Sequence, residues 1–419
     1  MKILWLSHLV PYPPNAGVAQ RSYGLLAQLA RRHDVFLMAF HQKALMRAMS
    51  NDAELCLARS IQHLKSVCAS VSVFEIPTER SLFSKYSLAA TTPFRRHAFT
   101  LNWLRSREFD DALVSLSREK FDIAHFDTIS LGIFQRHLEG TVCTMNHHNV
   151  ESHLLFRRAE KTHSIPRKLY FRQEARRLQE FERQTASDYQ LHVTCSDLDR
   201  QRLAASAPDA KSCVIPNGVD IAFFDRQVPA EPQPVFSFAG TLGWGPNREA
   251  AETIVSSLWP AISSKWPEAR MVLIGSNPPQ SALNLARRDK RFVVTGFVDD
   301  VRPHLAQSSF FLCPIRDGGG TKLKILNAMA MGKVVIADPI AVEGISVSSG
   351  QHAFLASTPT EYVDTAARLI DNRDTFLKVA GAARALIEQQ YSYEVIGKEL
   401  DIRYQQAKDD FAKSKTGAD

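Results

Sequence analysis

Short apolar runs alternate with longer amphipathic segments along almost the whole chain, and the alternation occurs twice. In the first half the runs fall at residues 3–7, 35–40, 71–75, 123–126, 142–146 and 191–194; in the second they fall at 235–239, 271–274, 292–295, 310–314 and 334–337. Runs this short and this continuously apolar read as strands covered on both faces, as in parallel sheets. The segments between them read as helices, at 248–261, 281–288, 323–331, 361–371 and most clearly at 20–32, where Leu25, Leu26 and Leu29 share one stripe. The strand-helix-strand order predicts α/β architecture. A turn-rich stretch, Val228-Pro-Ala-Glu-Pro-Gln-Pro234, separates the halves and reads as a linker. With 419 residues the chain exceeds what one core usually covers. The expected division is a first domain over 1–227, a second over 228–390, and a segment over 391–419. In that segment an amphipathic helix up to Lys408 crosses back to the first domain and a polar tail follows from Asp409.

An apolar content of 45% and a charged content of 23% are ordinary for a folded globular chain. The six cysteines are scattered, with no Cys-x-x-Cys pair, which fits a reducing compartment. The first apolar run is cut short by His8 and by the prolines from Pro11 on, so it reads as a strand and not as a signal peptide. No stretch approaches the roughly 18 apolar residues of a membrane-spanning helix. A cytoplasmic location is therefore expected, soluble or peripheral on the inner face of the membrane.

The formal net charge of +7 is concentrated at 157–183, where Arg157, Arg158, Lys161, Arg167, Lys168, Arg172, Arg176, Arg177 and Arg183 stand among Leu169, Tyr170, Phe171 and Leu178. This reads as amphipathic helix whose basic face meets either an anionic membrane surface or solvent, salt-bridged by Glu174, Glu180 and Glu182. Nucleic acid is not an expected partner, because aromatic-interleaved basic motifs and zinc-finger spacings are absent.

The strongest chemical signal is Pro314-Ile-Arg-Asp-Gly-Gly-Gly-Thr-Lys-Leu-Lys-Ile-Leu-Asn-Ala-Met-Ala-Met-Gly-Lys333. Glycines between a strand and a helix allow close backbone approach, and the first amides of the helix carry partial positive charge. That combination suits a pyrophosphate. Gly319 and Gly320 supply backbone amides, Thr321 a hydroxyl and Lys322 a full charge.

This run resembles the donor-binding segment of bacterial GT-B glycosyltransferases of the family-4, group-1 type, in the branch reading Gly-Gly-Gly-Thr-(Arg/Lys)-x-Lys-Ile-Leu-Glu-Ala-Met-Ala. Three other segments are similar to family segments in the same order: Val214-Ile-Pro-Asn-Gly-Val-Asp220, Phe238-Ala-Gly-Thr-Leu-Gly-Trp-Gly-Pro-Asn247 and Gly296-Phe-Val-Asp-Asp-Val301. The resemblance implies two Rossmann-like domains facing a central cleft, with a nucleotide-sugar as substrate, no cofactor and no metal. It implies that Val298 lies in the loop holding the base. Gly17, in Pro11-Tyr-Pro-Pro-Asn-Ala-Gly17, would lie in the loop near the donor phosphates. His148, with His147 beside it, would lie in the loop facing the reacting sugar and the acceptor. A zinc site from His147, His148 and His153 is disfavoured, since no acid cluster accompanies them.

The chain departs from the family's Glu-x7-Glu pattern. Asn327 stands where the second glutamate would accept hydrogen bonds from the ribose, and Gly319 stands in place of the first. An amide holds those hydroxyls less strongly than a carboxylate does. Asp317 or Glu343 would be the replacement carboxylate that this departure from the family pattern calls for. Thr241 stands where relatives often carry arginine, and Arg248 is the nearest match to a following lysine, so phosphate charge falls to Lys322, Arg316 and the helix terminus. The activity implied is retaining transfer of a sugar to a saccharide or lipid-linked acceptor, in envelope or exopolysaccharide assembly. The departing phosphate takes the acceptor proton. The rival readings are a sugar-nucleotide epimerase on the same fold and a non-catalytic scaffold.

Overall fold

The computed structural model describes residues 1–50, 52–81, 87–88, 91–92, 97–225, 232–317 and 320–416. The chain forms two compact units, Met1–Pro216 with Ile396–Asp419, and Asn217–Val395. Most of the expected linker at 228–234, together with Gly318 and Gly319, lies outside the described residues.

The first unit is built on strands β1 (Lys2–Ser7), β2 (Asp34–His41), β3 (Ser70–Glu75), β4 (Ile123–Phe126), β5 (Val142–His147), β6 (Leu191–Thr194) and β7 (Ser212–Val214). They pair in parallel in the order β3-β2-β1-β4-β5-β6-β7. Side chains of β1 alternate between two apolar layers. Ile3 and Trp5 enter a cluster with Leu25 and Leu29, and Leu4 and Leu6 enter one with Phe40, Phe109 and Phe134. Helix α1 spans Gly17–Ala30. It therefore begins three residues before the expected start at Gln20, and Gly17 is its first residue, exposed and with no side-chain cap.

The basic stretch is not one helix but two, α2 (Glu151–Lys161) and α3 (Ile165–Gln184). Pro166 sits in the first turn of α3, where the missing N–H is harmless, so a new helix starts there instead of the old one continuing.

The second unit repeats the plan with β8 (Val235–Ala239), β9 (Arg270–Ile274), β10 (Phe292–Gly296), β11 (Phe310–Cys313), β12 (Val334–Ala337) and β13 (Phe354–Leu355), in the order β10-β9-β8-β11-β12-β13, all parallel. Both orders are those of the Rossmann fold. Helix α4 (Gly245–Thr253) follows β8, and helix α5 (Leu323–Ala330) follows β11. One apolar core, including Phe236, Phe238, Phe310 and Phe311, fills this unit.

The last helix, α6, spans Tyr393–Thr416. Ile396, Leu400, Tyr404 and Ala407 recur on one side of it and belong to the core of the first unit. The expected polar tail from Asp409 is instead helical to Thr416. Gln405 donates to Asp409 one turn on at 2.9 Å, Phe411 packs partly against the core, and Lys413 and Lys415 sit where a helix C-terminus favours positive charge.

Candidate active site

In a sheet with this strand order, ligands gather beyond the carboxyl ends of the strands, at the point where the order reverses. In the first unit that point lies between β1 and β4. Register pairs Leu6 with Phe126 and Phe126 with Met145, so the residues after β1, β4 and β5 emerge side by side. They are His8, Asp127 and His148.

Asp127 is fully buried. Its Oδ2 accepts from Ser22 Oγ on α1 at 2.5 Å and from Ser7 Oγ at 3.3 Å, and its Oδ1 accepts from Asn146 Nδ2 at 3.0 Å. His148 Nε2 lies 3.2 Å from Oδ1 and His8 Nδ1 lies 3.7 Å from Oδ2. Burial opposes the charge of Asp127, but the surrounding imidazoles of His148, His125 and His8 hold its pKa well below the ordinary value. Burial lowers the pKa of His148 more than the Asp127 carboxylate raises it, with His8 and Arg21 adding to the depression. The result is an ionised carboxylate holding a neutral imidazole, which can accept or donate one hydrogen bond from its free nitrogen.

Arg21, 1% exposed, donates to Asn146 Oδ1 from Nη2 at 2.9 Å and to the Pro216 carbonyl from Nη1 at 2.9 Å. Asn146 is thereby fixed with its amide toward Asp127. His147 behaves differently from its neighbours because successive side chains of a strand point to opposite faces. It lies buried against His192, with Nε2 3.0 Å from His192 Nδ1, and burial drives its pKa well below 6.5. Of the two expected imidazoles, only His148 joins the cluster.

His8, Asp127 and His148 also offer ligand atoms that all lie within 4.8 Å of one another, an arrangement able to hold a metal ion. His147 and His153 are not part of it. The Asp127 oxygens already accept three hydrogen bonds from Ser7, Ser22 and Asn146, so the geometry is that of a hydrogen-bonded cluster first.

In the second unit the reversal lies between β8 and β11, and the glycine-rich loop leaves β11 there. Gly320 has a φ of 65°, a conformation glycine adopts without steric cost. Thr321 Oγ1 accepts from Asn217 Nδ2 at 2.5 Å, which ties the segment at 214–220 to the loop. Lys322 is the N-cap residue of α5, 6% exposed, and its Nζ donates to the Gly320 carbonyl at 2.9 Å. Lys324, in the first turn of α5, directs its ammonium to Asn247 Oδ1 on α4 and lies 4.7 Å from the centroid of the Phe238 ring. Asn247 in turn donates to the Thr241 carbonyl at 2.9 Å.

The other expected donor residues are dispersed around this loop. Asn327 is one turn further along α5 and partly buried. Arg316, half exposed, is engaged by Asp338, Nε to Oδ2 at 3.0 Å, and by the Ser357 carbonyl. Asp317 and Glu343 are partly buried, and Arg248 is exposed on α4. Val298 follows β10 and packs in part against the core of the unit. Sequence reasoning missed His8, Asp127, Arg21 and Asn146 in the first unit. The signal available for the first two was their position, each the first residue after a strand.

Residues 233–372 match the family described as Glycosyl transferases group 1. Residues 233–372 are thus similar to a group 1 glycosyltransferase domain, and the two-sheet fold is of the GT-B class. Sucrose-phosphate synthase from Thermosynechococcus elongatus is similar in structure, with a TM-score of 0.67 at 15% identity over 97% of this chain and 99% of that one. HepE of Anabaena, crystallised in complex with UDP, superposes with a TM-score of 0.65 at 15% identity over 97% of this chain and 100% of that one. TarM gives 0.63 at 10% identity over 96% and 98%. At these identities the likeness establishes the fold. A search of curated proteins finds no match.

Proposed function

We propose that the chain transfers a glycosyl unit from a nucleoside-diphosphate sugar to a saccharide or lipid-linked acceptor, with retention at the anomeric carbon. The observation that carries this reading is the loop between β11 and α5. It presents a glycine with positive φ, a hydroxyl and two lysines at an uncapped helix N-terminus, within the segment that matches the glycosyltransferase family. HepE bound to UDP and, in a further structure, to UDP-glucose supports a nucleotide-sugar as the donor class.

In this reading the loop amides and lysines stabilise the diphosphate as the bond from the anomeric carbon to the phosphate oxygen breaks, and the departing phosphate takes the acceptor proton. His148, fixed by Asp127, hydrogen-bonds the sugar or acceptor and positions it. No side chain has to serve as base and no metal takes part.

The first experiment is thermal stability of the purified protein against millimolar UDP, GDP, dTDP, ADP and CDP, with Lys322→Ala as control. Ligand at about 100 times its dissociation constant adds roughly 2.7 kcal/mol. A shift with one nucleotide, lost in the variant, supports the donor site; no shift with any of the five refutes it.

The acceptor side of the proposal includes an anionic membrane surface. Ile165 and Leu169 on α3 are 72% and 61% exposed, next to Arg167, Lys168 and Arg172. No described helix is long and apolar enough to cross a membrane. Co-sedimentation with phosphatidylglycerol vesicles but not with phosphatidylcholine vesicles is expected; equal sedimentation with both, or none with either, overturns this part.

A further inference from the structure

Three imidazoles, those of His8, His125 and His148, surround the Asp127 carboxylate. Two of them face it with a buried nitrogen that has no hydrogen-bond partner among the described residues: His8 Nδ1, 3.7 Å from Oδ2, and His125 Nε2, 3.9 Å from Oδ1. Both distances are too long for a hydrogen bond. A buried polar atom left unpaired is costly, and its retention calls for an explanation such as a bound ion.

For His8 two further ligands are at hand. One donor atom from each of His8, Asp127 and His148 lies within 4.8 Å of the others, and His148 Nε2 is 3.2 Å from Asp127 Oδ1. Ligand atoms bound tetrahedrally to zinc stand about 3.4 Å apart, so the pair of Asp127 and His148 is already at coordinating separation. The widest gap in the set has at most about 1.4 Å to close. Two imidazoles and a carboxylate suit a borderline ion such as Zn²⁺ or Co²⁺, and not Mg²⁺, which takes oxygen ligands.

The surroundings are those of a supported site. Ser7 and Ser22 donate to Oδ2 and Asn146 to Oδ1, as the outer partners of a metal-binding carboxylate do. A carboxylate has about four lone-pair sites, so these bonds leave room for an ion. Gln42 Nε2 donates to the His8 carbonyl at 2.7 Å and Cys195 Sγ to the His148 carbonyl at 3.5 Å, which ties the backbone of both imidazoles. The ligands follow β1, β4 and β5, which are neighbours in the sheet. The Asp127 side chain is fully covered, while those of His8 and His148 keep 13% and 8% exposure, and this gives an ion its way in.

We propose that His8, Asp127 and His148 form a binding site for one divalent ion of the zinc class, with a fourth position open to water or to an oxygen of a molecule held at the strand ends. The site lies in the first unit and does not depend on the donor reading of the second. No metal enters the transfer step described above; the cluster gains an ion-binding role beside it.

The test is equilibrium dialysis of the full chain, free of any affinity tag, against Zn²⁺, together with Co²⁺ titration followed by visible absorption, for wild type, His8→Gln, His148→Gln and His153→Gln. Wild type retains one zinc ion, which millimolar Mg²⁺ does not displace, and bound cobalt absorbs with the intensity of a four- or five-coordinate site. His8→Gln and His148→Gln each weaken zinc binding at least about 10-fold and lose the cobalt band, since even outer partners of a metal site are worth that much. His153→Gln, whose imidazole lies outside the cluster, binds as wild type does. Zinc affinity within about twofold of wild type in either cluster variant, equal weakening by His153→Gln, or no zinc retained by wild type overturns the assignment. If His148→Gln does not fold, His8→Gln decides, because the His8 ring is partly exposed and its buried nitrogen makes no hydrogen bond to lose. None of these outcomes touches the thermal shift with nucleotides, which tests the second unit.

Discussion

Replacing Glu182 by glutamine makes the first unit more stable at pH 8 and leaves it nearly unchanged at pH 4.5. Glu182 lies on α3, 2% exposed, with its carboxylate accepting from Ser152 Oγ at 2.5 Å and from Ser152 N–H at 3.3 Å on α2. Burial raises its pKa to about 7 from 4.5, and the nearby Glu151 charge adds to the rise, while the Ser152 bonds only partly offset it. Between those two values the folded state holds a proton that the unfolded chain has released, so stability falls as pH rises through that window. One pKa unit corresponds to about 1.4 kcal/mol, so the shift makes an ionised Glu182 cost about 3 kcal/mol, in full above pH 7 and not at all below 4.5. Glutamine cannot ionise, yet it can still accept the Ser152 N–H bond and donate to its hydroxyl. For a unit of this size each kcal/mol moves the melting temperature by about 2–4 °C. Differential scanning calorimetry of both proteins from pH 4.5 to 8.5 should show the gap opening over that range. Parallel pH profiles, or a variant less stable at pH 8, would refute the assignment of the cost to a buried carboxylate.

His148→Ala should lower glycosyl transfer by about 100-fold or more, the scale on which a misplaced reactant costs rate, while Asp127 keeps its hydrogen bonds from Ser7, Ser22 and Asn146; unchanged turnover of donor would remove His148 from the site. Gly275→Ala should cost roughly 3 kcal/mol or more, measured by urea denaturation. The reason is that φ is +141° and the added Cβ would meet the Gly240 carbonyl oxygen at 1.8 Å, with no flexible side chain to move aside; a variant as stable as wild type would contradict this backbone contact.

The architecture was legible in the sequence because buried parallel strands leave uninterrupted apolar runs, and the six such runs of the first half and five of the second all correspond to strands. β7 and β13 were not legible. They contain three and two residues, too few to show a period, and they exist because a neighbouring strand offers an edge. The start of α1 was missed for a related reason: Ala16 and Gly17 lack the side-chain oxygen that marks an N-cap. The glycine-rich loop announced itself through composition. The cluster around Asp127 did not, since its members are single residues from β1, α1, β4 and β5 whose proximity follows from strand order alone. The second lysine of the glycine-threonine-lysine motif was visible, but its partners Asn247 and Phe238 are some 80 residues away in the chain and only the fold brings them to it.

The chain leaves the first unit at Pro216 and re-enters it at Ile396, while the second unit is a single uninterrupted stretch. During synthesis, therefore, the later half of the chain has all its residues before the earlier half does. Until α6 emerges, the apolar layer that holds Ile3 and Trp5 lacks Ile396, Leu400 and Tyr404, and His125 lacks the Tyr404 hydroxyl that lies 2.6 Å from its Nδ1. Asp127, two residues on, belongs to the same strand end. A nascent or prematurely terminated chain would thus hold a second unit with all its residues while the histidine cluster of the first unit still lacks its last supporting helix, and the order of completion is set by connectivity and not by the position of the start codon.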